Sequence, residues 1–386
     1  MIVLLLALQA VDTDPTATST PTPTATATAT ATPTPTPTPT PIPTPSPTSD
    51  DYVGRAAPAS SAGTTSFGEG HLRAGLEVFA QYAYRSTYGA QSTWFHEFDL
   101  PRAHGAIDGT YESVHARVLM EAVRSTPQGA LYGVDGDSFV LRAREAYAEV
   151  TPHDLISVRG GIVPTLTIPE LDGTWMMRAI SPSMVESSGL TSPADLGAQA
   201  ISTLPKGYGW VGLGAYNGEG YHQAELNRGK NLEIATSLHP LPGSETLRPL
   251  ALHLGYTAGS SGAEKARADR FECALLWQGK MVRGGAAFTY AWGENQDSSL
   301  RALVMDGFVR IEPVDRFFAG ARASFFQRNL DARDSIFTGH VAFGYRIAKP
   351  MEVYLAGSRT LPTQIVRDAN PGSDFLELRA VTRIVF

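Results

Sequence analysis

From Gly70 onward, apolar side chains alternate with polar or small ones, the period-two pattern of strands whose two faces meet different surroundings. Between His340 and Ile347, the side chains of Val341, Phe343, Tyr345 and Ile347 oppose those of His340, Ala342, Gly344 and Arg346. In Phe317–Phe325, the residues Phe317, Ala319, Ala321, Ala323 and Phe325 oppose Phe318, Gly320, Arg322 and Ser324. The pattern predicts strands at 70–85, 95–108, 113–125, 137–150, 154–164, 194–203, 208–217, 229–239, 248–257, 268–277, 281–292, 299–311, 316–328, 335–347, 351–359 and 374–386. Two of these fit worst. The second contains Pro101, and in the fourth Arg142 and Arg144 alternate with Leu141 and Ala143 until Glu145 breaks the alternation.

One face of many strands carries arginine. Inside a packed sandwich each unpaired buried charge would cost several kcal/mol, so that face must meet water while the apolar face meets lipid. A sheet closed on itself within a bilayer satisfies both conditions, and every backbone group is then paired. The connections agree: short ones, such as Gly109–Glu112, Leu204–Gly207 and Ala348–Pro350, alternate with longer ones, such as 126–136, 165–193 and 360–373. The expected fold class is therefore all-β, a transmembrane antiparallel β-barrel of about 16 strands with both ends on the periplasmic side. Phe386 ends an amphipathic last strand in the manner of a terminal aromatic assembly signal.

Composition narrows the alternatives. No run of about 18 apolar residues exists, which excludes a helical span. A single cysteine, Cys273, excludes an internal disulfide framework and a multi-thiolate zinc site. It alternates with Phe271, Leu275 and Trp277 and is expected to be a lipid-facing, inert thiol. A formal charge of −7 argues against phosphate neutralisation of a nucleic acid.

The chain divides into three parts. Residues 1–10, MIVLLLALQA, resemble the end of a secretory signal peptide without its positively charged start. Residues 11–69 are dominated by Thr-Pro and Thr-Ala repeats with almost no large apolar side chain. They cannot bury a core and are expected to be a disordered, extended linker; at about 3.1 Å per residue the repeats would reach roughly 110 Å. Residues 70–386 form the barrel domain.

If the apolar faces point to lipid, the inner wall is lined by Arg73, Arg102, His104, Arg117, Arg142, Arg144, Arg159, Arg283, Arg322, Arg346 and Arg379, with Arg310 and Arg383 on the same face. The inward acids are Glu77, Glu121, Glu233, Glu272, Asp306, Glu352 and Glu377, fewer than the bases, and a positive inner wall enriches anions. His115, His253 and His340 share that face with His104, so acid pH is expected to strengthen the anion bias if all four meet water. The competing reading is that Arg and Glu pair into a ladder that only stiffens the barrel. The connection 165–193 carries Trp175, Met176, Met177, Ile180, Met184 and Val185, too much apolar surface to extend into solvent. It is expected to fold inward as a constriction bearing Glu170, Asp172, Trp175, Arg178 and Glu186.

Several segments resemble the phosphate-selective porin O and P family of Gram-negative outer membranes. They are LPRAHGAIDG at 100–109, LRAREAYAEVTPHDLISVRGGIVPTL at 141–166, and SPADLGAQA at 192–200 followed by YGWVGLGAYNGEG at 208–220. The resemblance covers roughly 70–386. It implies an outer-membrane diffusion channel of 16 strands, a homotrimer, with an in-folded loop. The implied partners are the bilayer and lipopolysaccharide, the assembly machinery, and small anionic solutes such as phosphate. The family's phosphate-selective members use lysines near the constriction. Here Lys206, Lys280 and Lys349 fall in short turns and Lys230 and Lys265 beside outer loops, so strong phosphate selectivity is not implied.

No enzyme signature stands beside this one: there is no H-E-x-x-H, no phosphate-cradling loop and no G-x-S-x-G elbow. Asp135 and Asp137 in VDGDS fit a turn better than a calcium site. No cofactor or metal is expected. The alternative function is a structural or surface-display barrel with negligible conductance.

Overall fold

The computed structural model describes residues 64–67, 70–89, 92–124, 139–223, 225, 227–262, 265–294, 296–332 and 334–386. The signal-like start, the Thr-Pro repeats, and Asp135 and Asp137 lie outside the described residues.

Sixteen antiparallel strands close into a barrel. In chain order they are β1 (Gly70–Thr87), β2 (Trp94–Tyr111), β3 (Val114–Arg124), β4 (Phe139–His153), β5 (Ile156–Pro164), β6 (Ala194–Leu204), β7 (Gly209–Tyr216) and β8 (Asn231–Leu238). There follow β9 (Leu250–Ala258), β10 (Asp269–Gln278), β11 (Val282–Glu294), β12 (Asp297–Val314), β13 (Phe317–Asn329), β14 (Asp334–Ala348), β15 (Met351–Pro362) and β16 (Phe375–Val385). Each strand pairs with its chain neighbour, and β16 closes on β1 from Phe375↔Thr87 to Val385↔Glu77. Phe386 completes the seam through backbone bonds in both directions with Leu76, 2.8 and 3.0 Å. A short strand, Thr64–Phe67, folds back on Gly70–Arg73, so pairing starts ahead of Gly70.

The two poorly fitting strands are both bulged. In β2 the register slips between Phe79↔Arg102 and Gln81↔Asp99, which leaves Leu100 and Pro101 opposite a single residue. Proline has no N–H to give a ladder and is tolerated where the ladder is already broken. In β4 the register passes from Met120↔Ala143 to Leu119↔Glu145, so Arg144 is the extra residue. That bulge resolves the broken alternation: Arg142 points inward before it, and Glu145, Tyr147 and Glu149 point inward after it.

The interior has two unlike halves. On β1–β5 the inner face is charged. On β7–β15 it is largely small, with Gly212, Ala235, Ala251, Gly255, Ala274, Ala291, Ala302, Gly320 and Ala342 facing inward. The connection 165–193 fills that second half and carries two short helices, α1 (Ile168–Trp175) and α2 (Met184–Ser187). Its Ile168, Leu171, Trp175, Met177, Ile180 and Val185 form one apolar cluster with Leu276, Val304, Phe308, Phe318 and Tyr354 of the wall. At roughly 1.5–3 kcal/mol per buried large side chain, these contacts hold the loop against the wall.

The outer surface is apolar, with Leu213, Ile234, Leu275, Val341, Phe343, Leu355 and Leu378 exposed. Cys273 is paired across β10–β11 with Phe288 on that same face. In liposomes a membrane-impermeant maleimide should leave Cys273 unlabelled, whereas an apolar maleimide should label it. Fast labelling by the impermeant reagent would mean that β10 has the opposite facing.

Candidate functional site

The loop is pinned at every turn. Leu166 N–H donates to Glu233 at 3.1 Å, Thr167 meets His253 at 3.1 Å, and Thr191 donates to Glu272 at 3.1 Å. Glu170 accepts from Ser237 at 2.9 Å and Gln278 at 3.0 Å. Four inward arginines satisfy loop carbonyls: Arg310 at Met176 (2.8 Å), Arg322 at Pro182 (2.9 Å), Arg379 at Ile180 (2.6 Å) and Arg270 at Leu190 (2.9 Å). Two inward glycines make this approach possible. A Cβ on Gly320 would lie 2.3 Å from the Met177 sulfur, and one on Gly255 2.9 Å from the Thr167 hydroxyl.

This placement sorts the eleven anticipated lining residues. Arg322 is 3% exposed, ion-paired with Asp306 beneath the Trp175 ring, and Arg379 is covered by Ile180. Both anchor the loop rather than facing open lumen. Arg283 reaches the Gly173 carbonyl at the loop's edge. Arg346 pairs with Glu352 at 3.3 Å, and Arg73 lies opposite Asp108. Arg117 lies between Asp108 (2.8 Å) and Glu145 (2.9 Å), and Arg159 meets Glu149 at 3.2 Å. Two of the four inward histidines are also sequestered. His253 packs on Trp210 and hydrogen-bonds Thr167, and His340 bonds Ser358 at 2.8 Å. His104 stands between Glu77 (3.1 Å) and Glu121 (3.7 Å), and His115 between Asp108 (3.2 Å) and Glu149 (3.6 Å).

Simple alternation hides some of the inner charge. Past the two bulges the facing changes, so Asp99, Glu145 and Glu149 join the inner face; Asp108 and Glu312, at the ends of their strands, face inward as well, against Arg85 and Arg270 as extra bases. Most of the positive surplus expected from counting alternate residues is thereby offset.

Among the described residues a local positive excess remains on one part of the wall. Arg102, Arg142 and Arg144 converge on a single carboxylate, Glu121, which is 0% exposed. Their nitrogens lie 3.7, 2.7 and 3.8 Å from its oxygens. Three guanidiniums against one carboxylate leave two positive charges in excess. The side chains of Arg102 and Arg142 are 25% and 34% exposed, so that excess faces the lumen. The bulge at Arg144 is what brings it into the same group as Arg142 and ahead of Glu145.

The loop presents a different electrostatic face. Arg178 pairs with both Asp172 and Glu186, the latter at 2.6 Å. Burial pushes the Glu186 carboxyl up, but Arg178, with Arg144 and Arg102 further off, reverses this and holds it at about 2. Burial likewise opposes the charge on Arg178, and its two carboxylates more than restore it. Glu170, against the wall and away from any arginine contact, is raised by burial. Among the described residues no cluster of ligands suited to a metal ion occurs.

Sequence reasoning missed Tyr221. It belongs to the connection 217–230, yet its hydroxyl donates to Glu121 and accepts from Arg142 at 3.0 Å. The NGEG turn before it was visible in the sequence; its direction of travel was not.

No family model matches the chain, and no curated protein matches it. Solved structures do. An anion-selective porin from Comamonas acidovorans superposes with a TM-score of 0.60 at 12% identity, over 82% of this chain and 100% of that one. OmpF of Salmonella typhi, in complex with daunomycin, gives 0.64 at 10% identity, over 84% and 100%. The outer membrane channel DcaP of Acinetobacter baumannii gives 0.55 at 10% identity, over 84% and 100%. The chain thus has the sixteen-stranded fold of Gram-negative outer-membrane porins.

Proposed function

We propose that this protein is an outer-membrane diffusion channel for small hydrophilic solutes, with a modest preference for anions, phosphate among them. The observation that carries this reading is the excess of guanidinium at Arg102, Arg142 and Arg144 over Glu121, which outweighs the single negative charge left where Arg178 of the in-folded loop meets Asp172 and Glu186. A fixed positive excess in a narrow, low-dielectric passage raises local anion concentration and repels cations. The likeness to a porin described as anion-selective supports the same direction. No lysine lies in the loop or on this wall, so phosphate is one accepted anion among several. Assembly as a trimer belongs to the same reading.

Planar-bilayer recording across a KCl gradient tests it. Discrete ion steps with a reversal potential of anion sign are expected. A cation sign would remove the preference, and silence from correctly folded protein would favour a structural barrel in which the ion-pair ladder only stiffens the wall.

A further inference from the structure

The connection 217–230 belongs to the loop end of the barrel, yet it turns back inward. Gly218, at φ +105°, donates its N–H to Asp195 at 2.8 Å. Gly220, at φ +80°, lies so close to the root of the 165–193 loop that a Cβ there would sit 2.8 Å from the Ser192 hydroxyl. Both conformations belong to the left-handed region that glycine adopts without strain. The next residue, Tyr221, is fixed by its own N–H to the Ala194 carbonyl at 3.0 Å. From this anchor on β6 its side chain reaches the inner face of the nearby strands β4 and β3. There the Arg142 guanidinium lies 5.0 Å from the ring centroid, and the phenolic oxygen sits between Arg142 and Glu121.

An oxygen that accepts from Arg142 on the lumenal side occupies the position an anion's oxygen would take. Burial, reinforced by the Glu121 charge, pushes the Tyr221 phenol up to about 12, so it stays a neutral hydroxyl at working pH. Such a group holds the guanidinium less strongly than a phosphate oxygen does, because hydrogen bonds between two ionised partners are the stronger kind.

We propose that Tyr221 is a specificity-determining residue, an internal competitor whose hydroxyl must be displaced from Arg142 before an anionic solute is held at the wall. The inference rests on the anion-channel reading above and adds to it the group that sets how tightly the anion is retained. The NGEG turn is the device that positions this residue.

The test is block of single-channel chloride current by added inorganic phosphate in wild type, Tyr221→Phe, Arg142→Gln and the double variant. Removing one hydroxyl from a charged donor is expected to lower the half-blocking phosphate concentration by roughly 10-fold or more. In the Arg142→Gln background the same change is expected to have no effect. An unchanged half-blocking concentration in Tyr221→Phe, with wild type still anion-selective, overturns the role of Tyr221 alone. So does an effect that persists without Arg142, since the hydroxyl would then act on pore shape. If wild type itself is cation-selective and insensitive to phosphate, the anion-channel reading fails and this inference fails with it.

Discussion

Replacing Arg102, Arg142 and Arg144 together with Gln is expected to reverse the ion preference of the pore. The wall then passes from two positive charges in excess to one negative charge, that of Glu121. Even at the permittivity of water a unit charge about 6 Å from a passing ion contributes roughly 0.7 kcal/mol. Three such changes amount to about 2 kcal/mol, near a thirtyfold change in relative anion entry. The reversal potential should change sign, most clearly at low ionic strength, where screening is weakest. Glu121 left without its arginines is a buried carboxylate that can destabilise the barrel by about 3–5 kcal/mol. Adding Glu121→Gln removes that cost and restores a neutral wall, for which an intermediate, nearly unselective pore is expected. Arg159 is left in place because it is matched by Glu149. An anion-sign potential surviving in the triple variant would remove these residues from the mechanism.

Truncating Trp175 to Ala is expected to release the 165–193 loop from the wall. The indole is 1% exposed, edge-on to Phe308 and bonded through its N–H to the Ser181 carbonyl at 3.1 Å. Large-to-small changes at such sites cost about 3–5 kcal/mol. Here the cost falls on a loop inside an otherwise hydrogen-bonded barrel, so the sheet should stay closed while the loop moves. Single-channel conductance should rise and become noisy. Gly320→Leu should act in the same direction without a cavity, because even a Cβ there would meet Met177 and Trp175. Steady, unaltered conductance in both variants would mean that the loop does not limit the passage.

The strand plan was legible because a barrel wall is one residue thick, so its two environments are printed on alternate positions. All sixteen strands follow from that signal, and their observed bounds differ from the expected ones only near the ends. The inward fold of 165–193 was legible for a related reason: apolar surface of that size needs a partner. The small inward residues of β7–β15 that form its bed were equally present in the sequence, but a run such as Gly212, Gly255 and Gly320 acquires meaning only once the strands are placed side by side.

Alternation failed where a single extra residue shifts the facing. Glu145 and Glu149 could not be counted inward while the bulge at Arg144 was unknown, and Asp99 was hidden in the same way by the bulge at Leu100–Pro101. Pairing partners were beyond reach as well: three arginines gathered on Glu121, and Tyr221 is 100 residues from it in the chain.

The amino-acid order alone set the number of strands, which face meets lipid and which loop turns inward, because burial of apolar area acts on each segment separately. Tertiary structure decided which charges cancel and which stay in excess. That balance depends on distances of a few ångströms between side chains on different strands and loops, fixed only when the sheet closes and its bulges choose the register.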